Sequence, residues 1–148
     1  ENITFGHGNK NVKSSEIDEA SHLALVSDFA RNLTHGLDTK IGERGVQLSG
    51  GQLQRIGIAR ALFRKPSVLI LDEATSALDN ITERKIIKNI QKIPNLTVIM
   101  VAHRLSTLEN CEEIFFMKNG AILAKGSFKE LSENNVDFKN MLQDIKQN

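Results

Sequence analysis

The chain has 148 residues, of which 40% are hydrophobic, so it is the size of one ordinary domain and can bury a core. Nineteen basic and eighteen acidic side chains give a formal net charge of +1, without a long run of one sign, so composition supplies no reason for a nucleic-acid partner. The single cysteine, Cys111, cannot form an internal disulfide and is interpreted as a packing residue, and no apolar run approaches the ~20 residues that cross a bilayer.

The first third of the chain is predicted to be mostly helical. Ser14 and Ser15 are candidate caps for a helix whose apolar residues have helical spacing: Ile17, Ala20, Leu23 and Ala24. A glycine-punctuated loop is then expected over Thr34–Gly45. Ser49 is a candidate cap for the next helix, which Pro66 ends and whose predicted buried face carries Leu53, Ile56, Ala59 and Phe63.

A strand, a helix and a second strand are predicted next, in the order of a crossover between parallel strands. Ser67–Asp72 and Thr97–His103 each contain consecutive aliphatic residues, which is typical of strands that are buried on both faces. The helix between them is amphipathic. Its apolar stripe carries Ile86, Ile87, Ile90 and Ile93, and its other faces mainly carry Glu83, Arg84, Lys85, Lys88 and Lys92.

A β-hairpin and a final amphipathic helix are predicted at the end of the chain. Two short strands, Glu113–Lys118 and Ala121–Lys125, flank the dipeptide Asn119-Gly120, which favours a two-residue hairpin turn because both positions tolerate positive φ. Ser127 and Glu130 have the spacing of a capping box. The last helix then carries Phe138, Met141, Leu142 and Ile145 on one face.

Both predicted parallel strands end in residues that are unsuited to burial, Asp72-Glu73 and His103. Ligands of open α/β sheets bind beyond the carboxyl ends of the strands, so these residues are candidates for a site. One carboxylate can hold a magnesium ion through water while the other polarises an attacking water. Alternatively, the two acids cap the helix that begins nearby. His103 can donate to a phosphate oxygen or to the water, whereas His7, His22 and His35 are interpreted as structural.

Ser49, Gly50 and Gly51 have the features of an anion site. The glycines let backbone N–H groups approach a ligand, and a helix N-terminus carries partial positive charge. Phosphate is therefore the favoured ligand. The usual phosphate-binding pattern, G-x-x-x-x-G-K-[ST], does not occur in the chain.

Four motifs resemble, in order and spacing, those of the ATP-binding-cassette (ABC) ATPases: the signature Leu48–Gln52, the Walker B strand Ser67–Glu73, the D-loop Ser76–Asp79 and the switch histidine His103. The resemblance covers essentially the whole chain. It implies an α/β fold that is the C-terminal part of a P-loop NTPase, with a RecA-like core of parallel strands and a β-hairpin, plus the ABC α-helical subdomain. Residues 1–65 would be the helical subdomain with the signature helix, and residues 66–148 the core portion with the other three motifs.

The resemblance also implies roles for the motif residues. Asp72 would help to hold Mg²⁺ through water, Glu73 would be the general base, and His103 would contact the γ-phosphate. Asp79 would help two subunits to communicate. ATP held by the other subunit would be bound by the signature residues Ser49, Gly50, Gly51 and Gln52. The expected cofactors are thus ATP and Mg²⁺.

The family's phosphate loop, adenine-stacking aromatic and Q-loop glutamine normally precede the stretch that Glu1–Gly6 resembles. The chain is therefore expected to begin after them and to be inactive as an ATPase by itself. Leu53 stands where the family commonly carries a polar or basic residue, which would alter the helix surface. The loop Thr39–Gly45 resembles the loop that touches the coupling helices of exporter membrane domains, here through Gly42, Glu43, Arg44 and Gly45.

These likenesses predict an ATPase module of an exporter at the cytoplasmic face of the cell's inner membrane. Two such domains, identical or different, would close on ATP and drive the export or flipping of a lipid, glycolipid or peptide. One alternative is a DNA-repair or chromosome-associated ATPase, which the lack of heptad arrays disfavours. The other is a non-catalytic regulatory module, which the presence of Glu73 and His103 disfavours.

Overall fold

A computed structural model describes residues 1–6, 12–42, 45–102 and 104–147. The fold is α/β and has parallel and antiparallel strands, as predicted. The chain divides into two compact units, Glu1–Met100 and Val101–Asn148. Within the described ranges, no helix combines the length and the apolar character that crossing a membrane requires.

The first unit is built from helices around two neighbouring strands. Its elements in chain order are α1 (Ser14–Leu23), α2 (Val26–Ala30), a short 3₁₀ turn (Gly36–Asp38), α3 (Gly50–Phe63), β1 (Val68–Asp72), α4 (Asn80–Ile90) and β2 (Thr97–Val101), whose last residue begins the second unit. β1 and β2 are adjacent in a two-stranded sheet. The predicted order of strand, helix and strand is thus confirmed, and the predicted loop after Thr34 contains the 3₁₀ turn.

The predicted cap of α1 and the predicted burial of Leu53 are both wrong. Ser14 and Ser15 do not cap α1, because the helix already begins at Ser14 and its cap position is Lys13. Leu53 is 52% exposed, although Ile56, Ala59 and Phe63 of the same predicted face are buried. At the first turn of α3 it is Gly51 that faces the protein, and Leu53, two residues later, points about 200° around the helix from it.

The prediction that β1 is buried on both faces is also wrong. Leu69 and Leu71 are buried in the core, whereas Val68 and Ile70 are 49% and 67% exposed. Side chains alternate along a strand, and the core of the first unit covers only one face. A run of aliphatic residues cannot distinguish these two cases. β2 alternates in the same way, with Val98 and Met100 packed against the core and Ile99 and Val101 exposed.

Helix α4 buries its predicted stripe and one unexpected carboxylate. Ile86, Ile87 and Ile90 are buried, and Ile93 packs against the same core just after the helix. Glu83 was predicted to lie mainly on another face, but only 4% of it is exposed. Its Oε1 accepts a hydrogen bond of 3.0 Å from the hydroxyl of Thr75. Because a buried polar group needs such a partner, this bond offsets the cost of burying Glu83.

Over its described residues, the second unit comprises α5 (Leu105–Leu108), β3 (Ile114–Lys118), β4 (Ala121–Gly126), α6 (Phe128–Asn134) and α7 (Val136–Gln147). β3 and β4 pair antiparallel. Asn119 and Gly120 form the turn with φ of 53° and 77°, so the hairpin prediction is confirmed. The fully buried ring of Phe138 on α7 makes edge contacts with Phe116 and Phe128, at centroid distances of 5.6 and 6.1 Å.

Cys111 and the capping box behave as predicted. The half-buried thiol of Cys111 donates to the carbonyl of Thr107 at 3.3 Å, and burial raises its pKa, which fits a packing residue. Ser127 caps α6: its hydroxyl accepts from the N–H of Glu130 at 3.3 Å, and its own N–H donates to Oε2 of Glu130 at 2.8 Å. Ser127 thus lies between the end of β4 and the start of α6.

Candidate functional site

β1 ends in two exposed carboxylates. Asp72 is the last residue of the strand, and Glu73 follows it with a φ of +49°. A left-handed backbone is uncommon for glutamate and persists only where the surroundings hold it. The alternative in which these acids cap the next helix is wrong, because α4 begins at Asn80 and its cap is Asp79. Asp72 and Glu73 thus stand outside the helix, at the carboxyl end of the strand.

The turn that follows β1, residues 73–78, is held by hydrogen bonds of its own and by α4. The N–H of Ser76 donates to the carbonyl of Glu73 at 3.1 Å, and the N–H of Leu78 donates to that of Thr75 at 3.0 Å. The hydroxyl of Thr75 is in turn bound to the buried carboxylate of Glu83. Residues on the C-terminal side of Glu73 therefore help to fix its position.

Asp79, the last residue of the predicted D-loop, is an N-cap in this structure. Its Oδ1 accepts from the N–H groups of Ile81 and Thr82 at 3.0 and 2.9 Å, and its Oδ2 accepts from the hydroxyl of Thr82 at 2.6 Å. These bonds, first of all the one from the Thr82 hydroxyl, lower the pKa of Asp79. A role for Asp79 between subunits stays a prediction.

The signature segment forms the N-terminus of α3. Ser49 is the N-cap, as predicted, and its hydroxyl accepts from the N–H of Gln52 at 3.3 Å. The N–H of Ser49 donates to Oε1 of Gln52 at 2.8 Å, which completes a capping box. Gln52 was predicted only as a ligand of ATP, although the spacing Ser-x-x-Gln is itself a capping-box signal. Helix α3 thus begins at Gly50, and the first amides of a helix have no partner within it.

The two glycines of the signature differ in their surroundings. A Cβ on Gly51 would lie 2.9 Å from the carbonyl oxygen of Ala77, whereas a Cβ on Gly50 would lie 3.5 Å from the Cβ of Ala77, an ordinary contact. Gly51 therefore permits a close approach between α3 and the turn after β1. The sequence interpretation, in which both glycines serve an anion, did not foresee this packing role.

Gln54 links α3 to the same turn. Its side-chain Nε2 donates to the carbonyl of Glu73 at 3.2 Å and to the hydroxyl of Ser76 at 2.9 Å. Its Oε1 accepts from the N–H of Ala77 at 2.9 Å. Sequence reasoning missed Gln54, because it is a polar residue within a predicted helix. No local pattern indicates hydrogen-bond partners that lie nineteen to twenty-three residues away.

Arg55 attaches α3 to the segment that contains α2. Its Nη1 donates to the carbonyl of Leu25 at 3.1 Å, and its guanidinium lies 4.6 Å from the ring centroid of Phe29. Burial lowers the pKa of Arg55, while the charges of Asp28 and Asp79 act in the other direction. The signature helix is thus attached both to the turn after β1 and to the helices before it.

Three predicted site residues, His103, Glu43 and Arg44, lie outside the described residues. Next to the latter two, the N–H of Gly45 donates to the carbonyl of Gly42 at 3.0 Å.

Among the residues that the structure describes, no three histidines, cysteines or acids are grouped as a metal site. Asp72 nevertheless fits Mg²⁺, which commonly takes one or two carboxylates and completes its shell with phosphates and water.

A cavity of about 270 Å³ lies in the first unit beside the predicted coupling loop. Both polar and apolar residues line it, among them Lys40 and Ile41. The apolar part includes Ile3, Val26, Phe29, Leu37, Leu48 and Ile56.

Comparison with known proteins identifies related sequences and a related structure. Residues 7–76 match the family model described as ABC transporter. The chain is 44% identical over 144 residues to a putative export ATP-binding/permease protein of Rickettsia conorii, and 50% identical over 137 residues to an ATP-dependent lipid A-core flippase of Photorhabdus laumondii. It is 52% identical over 132 residues to the multidrug resistance protein sirA of Leptosphaeria maculans.

The fold resembles that of a bacterial Atm1-family ABC exporter with ATP bound, with a TM-score of 0.86 and 37% identity. The likeness covers 97% of this chain and 25% of that structure. The alignments to the bacterial relatives cover 97% and 90% of the chain, and that to sirA covers 88%. The chain spans only 25%, 23% and 10% of the three relatives, respectively.

Proposed function

Because residues 7–76 belong to the ABC transporter family, and the fold is similar to the nucleotide-binding domain of an ABC exporter, we propose that this chain is part of the ATP-hydrolysing domain of such an exporter. The observation that carries the proposal is Glu73, an exposed carboxylate held in a left-handed conformation at the carboxyl end of β1. A general base needs a fixed carboxylate that water can reach, and this position supplies one.

In the proposed reaction, Glu73 accepts the proton of a water molecule as that water attacks the γ-phosphate of ATP. Asp72 would supply a carboxylate that holds Mg²⁺ through water, and the ion would provide positive charge beside the phosphates when bound. His103 holds the γ-phosphate. The substrate ATP and its metal ion are the cofactors that this chain needs.

A second domain of the same kind completes the proposed site. Ser49, Gly50, Gly51 and Gln52 stand at the N-terminus of α3, where the first N–H groups of the helix and its dipole favour an anion. We assign them to the γ-phosphate of the nucleotide bound by the partner domain, with Asp79 at the interface. The capping box supports this assignment, because it holds the first turn of α3 in one conformation.

The transport part of the proposal concerns the partner in the membrane. The coupling helices of a transmembrane domain would contact the loop at Gly42, Glu43, Arg44 and Gly45, at the cytoplasmic face of the membrane. The neighbouring cavity, which Lys40 and Ile41 help to line, offers a recess beside this loop. We retain the division into a helical subdomain, residues 1–65, and a core portion, residues 66–148. The names of the bacterial relatives favour the export or flipping of a lipid or similar molecule over a chromosome-associated function.

The test is the replacement Glu73→Gln in the intact transporter polypeptide that carries this chain. The amide cannot accept the proton, so we expect turnover to fall by about 10²- to 10⁴-fold while ATP binding is retained. Hydrolysis is measured by phosphate release, and binding by equilibrium titration with a fluorescent ATP analogue. Glu112→Gln, which changes an exposed carboxyl of the second unit, is the matched control and should keep full turnover.

Unchanged hydrolysis in Glu73→Gln would exclude Glu73 as the base. A loss of ATP binding together with turnover would also count against the proposal, because it would assign Glu73 to binding instead of chemistry.

A further inference from the structure

We propose that Gln54 is a positioning residue for the reaction: its side-chain amide ties the turn after β1 to helix α3 and so sets the direction of the Glu73 carboxylate. The inference rests on the proposed function, in which Glu73 is the general base. It assigns to Gln54 no contact with ATP or water.

The first observation is that the side-chain amide of Gln54 makes hydrogen bonds through both its nitrogen and its oxygen. Its Nε2 donates to the Glu73 carbonyl and to the Ser76 hydroxyl, and its Oε1 accepts from the Ala77 N–H. All three bonds reach one five-residue segment, at distances between 2.9 and 3.2 Å. A half-buried side chain that satisfies both its donor and its acceptor on one turn fixes the position of that turn.

The second observation is the backbone of Glu73 itself. Its φ of +49° lies in the left-handed region, which a residue with a side chain leaves unless its neighbours prevent it. The peptide group that follows Glu73 is held through its carbonyl by Gln54 and by the N–H of Ser76. Rotation to negative φ would turn that carbonyl away and break both bonds. Because φ also sets the direction of the Cα–Cβ bond, the same bonds determine where the carboxylate points.

The third observation is that α3 touches the turn directly at a second place. Gly51 lies so close to Ala77 that a Cβ would stand 2.9 Å from its carbonyl oxygen. Gly51 and Gln54 are three residues apart and lie on one face of the helix. The helix that carries the signature and the turn that carries the base therefore form one packed unit. A shift of α3 moves the backbone of Glu73 with it.

The experiment uses two replacements of Gln54 in the intact transporter polypeptide. Gln54→Ala removes all three bonds. Gln54→Glu keeps an acceptor for Ala77 but places a carboxylate oxygen against the Glu73 carbonyl. We expect both to lower kcat about ten- to hundred-fold, the cost of a misplaced catalytic group, with KM for ATP within about twofold of the parent. Gln143→Ala, which shortens an exposed glutamine on α7, is the matched control and should change neither constant.

A second measurement reports the turn without reference to activity. Amide hydrogen exchange is followed in peptides that cover residues 73–78 of the parent, Gln54→Ala and Gln143→Ala proteins. Loss of the Gln54 bonds should speed the exchange of more amides than that of Ala77 alone, because the Ser76 and Leu78 hydrogen bonds belong to the same turn. Faster exchange at Ala77 only would overturn the inference, as would a fall in the amount of folded protein with unchanged kcat and KM.

The two proposals fail in different ways. If Glu73→Gln hydrolyses ATP as fast as the parent, the proposed function is wrong whatever Gln54 does. If Glu73→Gln is inactive but both Gln54 variants keep the parental kcat, the base is confirmed and the positioning role of Gln54 is wrong.

Discussion

At the scale of single residues, the signature glycines show how one local pattern can serve two purposes. Sequence reasoning explains a glycine pair at a helix start by the approach of an anion, and the structure adds a packing requirement at only one of the two. Gly51 approaches the Ala77 carbonyl closely, whereas Gly50 has room for a methyl group. The requirement comes from a residue twenty-six positions away along the chain, so no local pattern could reveal it.

Replacement of each glycine of α3 by alanine separates these cases. Gly51→Ala should destabilise the chain by about 1–3 kcal/mol, because the new methyl group overpacks against backbone that cannot move cheaply. Gly57→Ala meets no atom within 4 Å and should instead stabilise the chain by about 0.5–1 kcal/mol through helix propensity. Urea unfolding followed by circular dichroism measures both. Gly50→Ala is the control for adding a methyl group in the first turn, and a Gly51→Ala protein as stable as Gly50→Ala would contradict the packing role.

At the scale of elements, the pattern of apolar residues predicts most helices and strands correctly. β1, α4, the hairpin and α7 follow from local periodicity and turn chemistry, which act within a few residues. What periodicity does not predict is which face of an element is covered. Leu53 and Ile70 are exposed and Glu83 is buried because their environments depend on distant segments and on partners such as Thr75.

The capping box of α6 predicts a contribution to the stability of the folded chain that depends on pH. The N–H of Ser127, and then its hydroxyl, lower the pKa of Glu130 below its ordinary value of 4.5. The folded chain therefore holds the charged form more tightly than the unfolded chain does. This stabilisation is present above the unfolded pKa and is lost as the pH falls through the lower folded value. Gln at this position can still close a capping box but has no proton to gain.

Glu130→Gln should accordingly remove part of the pH dependence of stability between about pH 3 and 6. The control is Glu133→Gln on the exposed surface of the same helix, which should keep the dependence of the parent. Urea midpoints measured across this range give the comparison. Parallel curves for the parent and Glu130→Gln would show that the capping carboxylate does not contribute.

At the scale of the whole molecule, the sequence motifs predict a nucleotide site to which two subunits contribute, and one chain contains only part of it. The structure brings together the signature helix, the strand end at Asp72-Glu73 and the D-loop in the first unit, through Gln54 and Gly51. The proposed site that two subunits share also requires a second domain, which lies outside the chain. The order of the motifs indicated the family. The hydrogen bonds of Gln54, in contrast, could be recognised only from the three-dimensional arrangement.

Complementation between two inactive variants tests the shared site directly. Ser49→Arg should block the signature surface, and Glu73→Gln should remove the base. In a mixed dimer, one site combines the intact Glu73 of the first protomer with the intact Ser49 of the second, while the other site carries both defects. We expect the mixed dimer, co-expressed with two affinity tags and isolated through both, to hydrolyse ATP at about half the parental rate.

Two features make the outcome decisive. Each variant alone should be inactive, so activity in the doubly tagged dimer can come only from a site composed of residues from both protomers. Ser49→Ala, which removes the N-cap of α3 without adding bulk, measures the effect of the lost cap and should cost about 1 kcal/mol of stability. If the mixed dimer is as inactive as either variant, the signature residues do not act on the nucleotide of the other subunit.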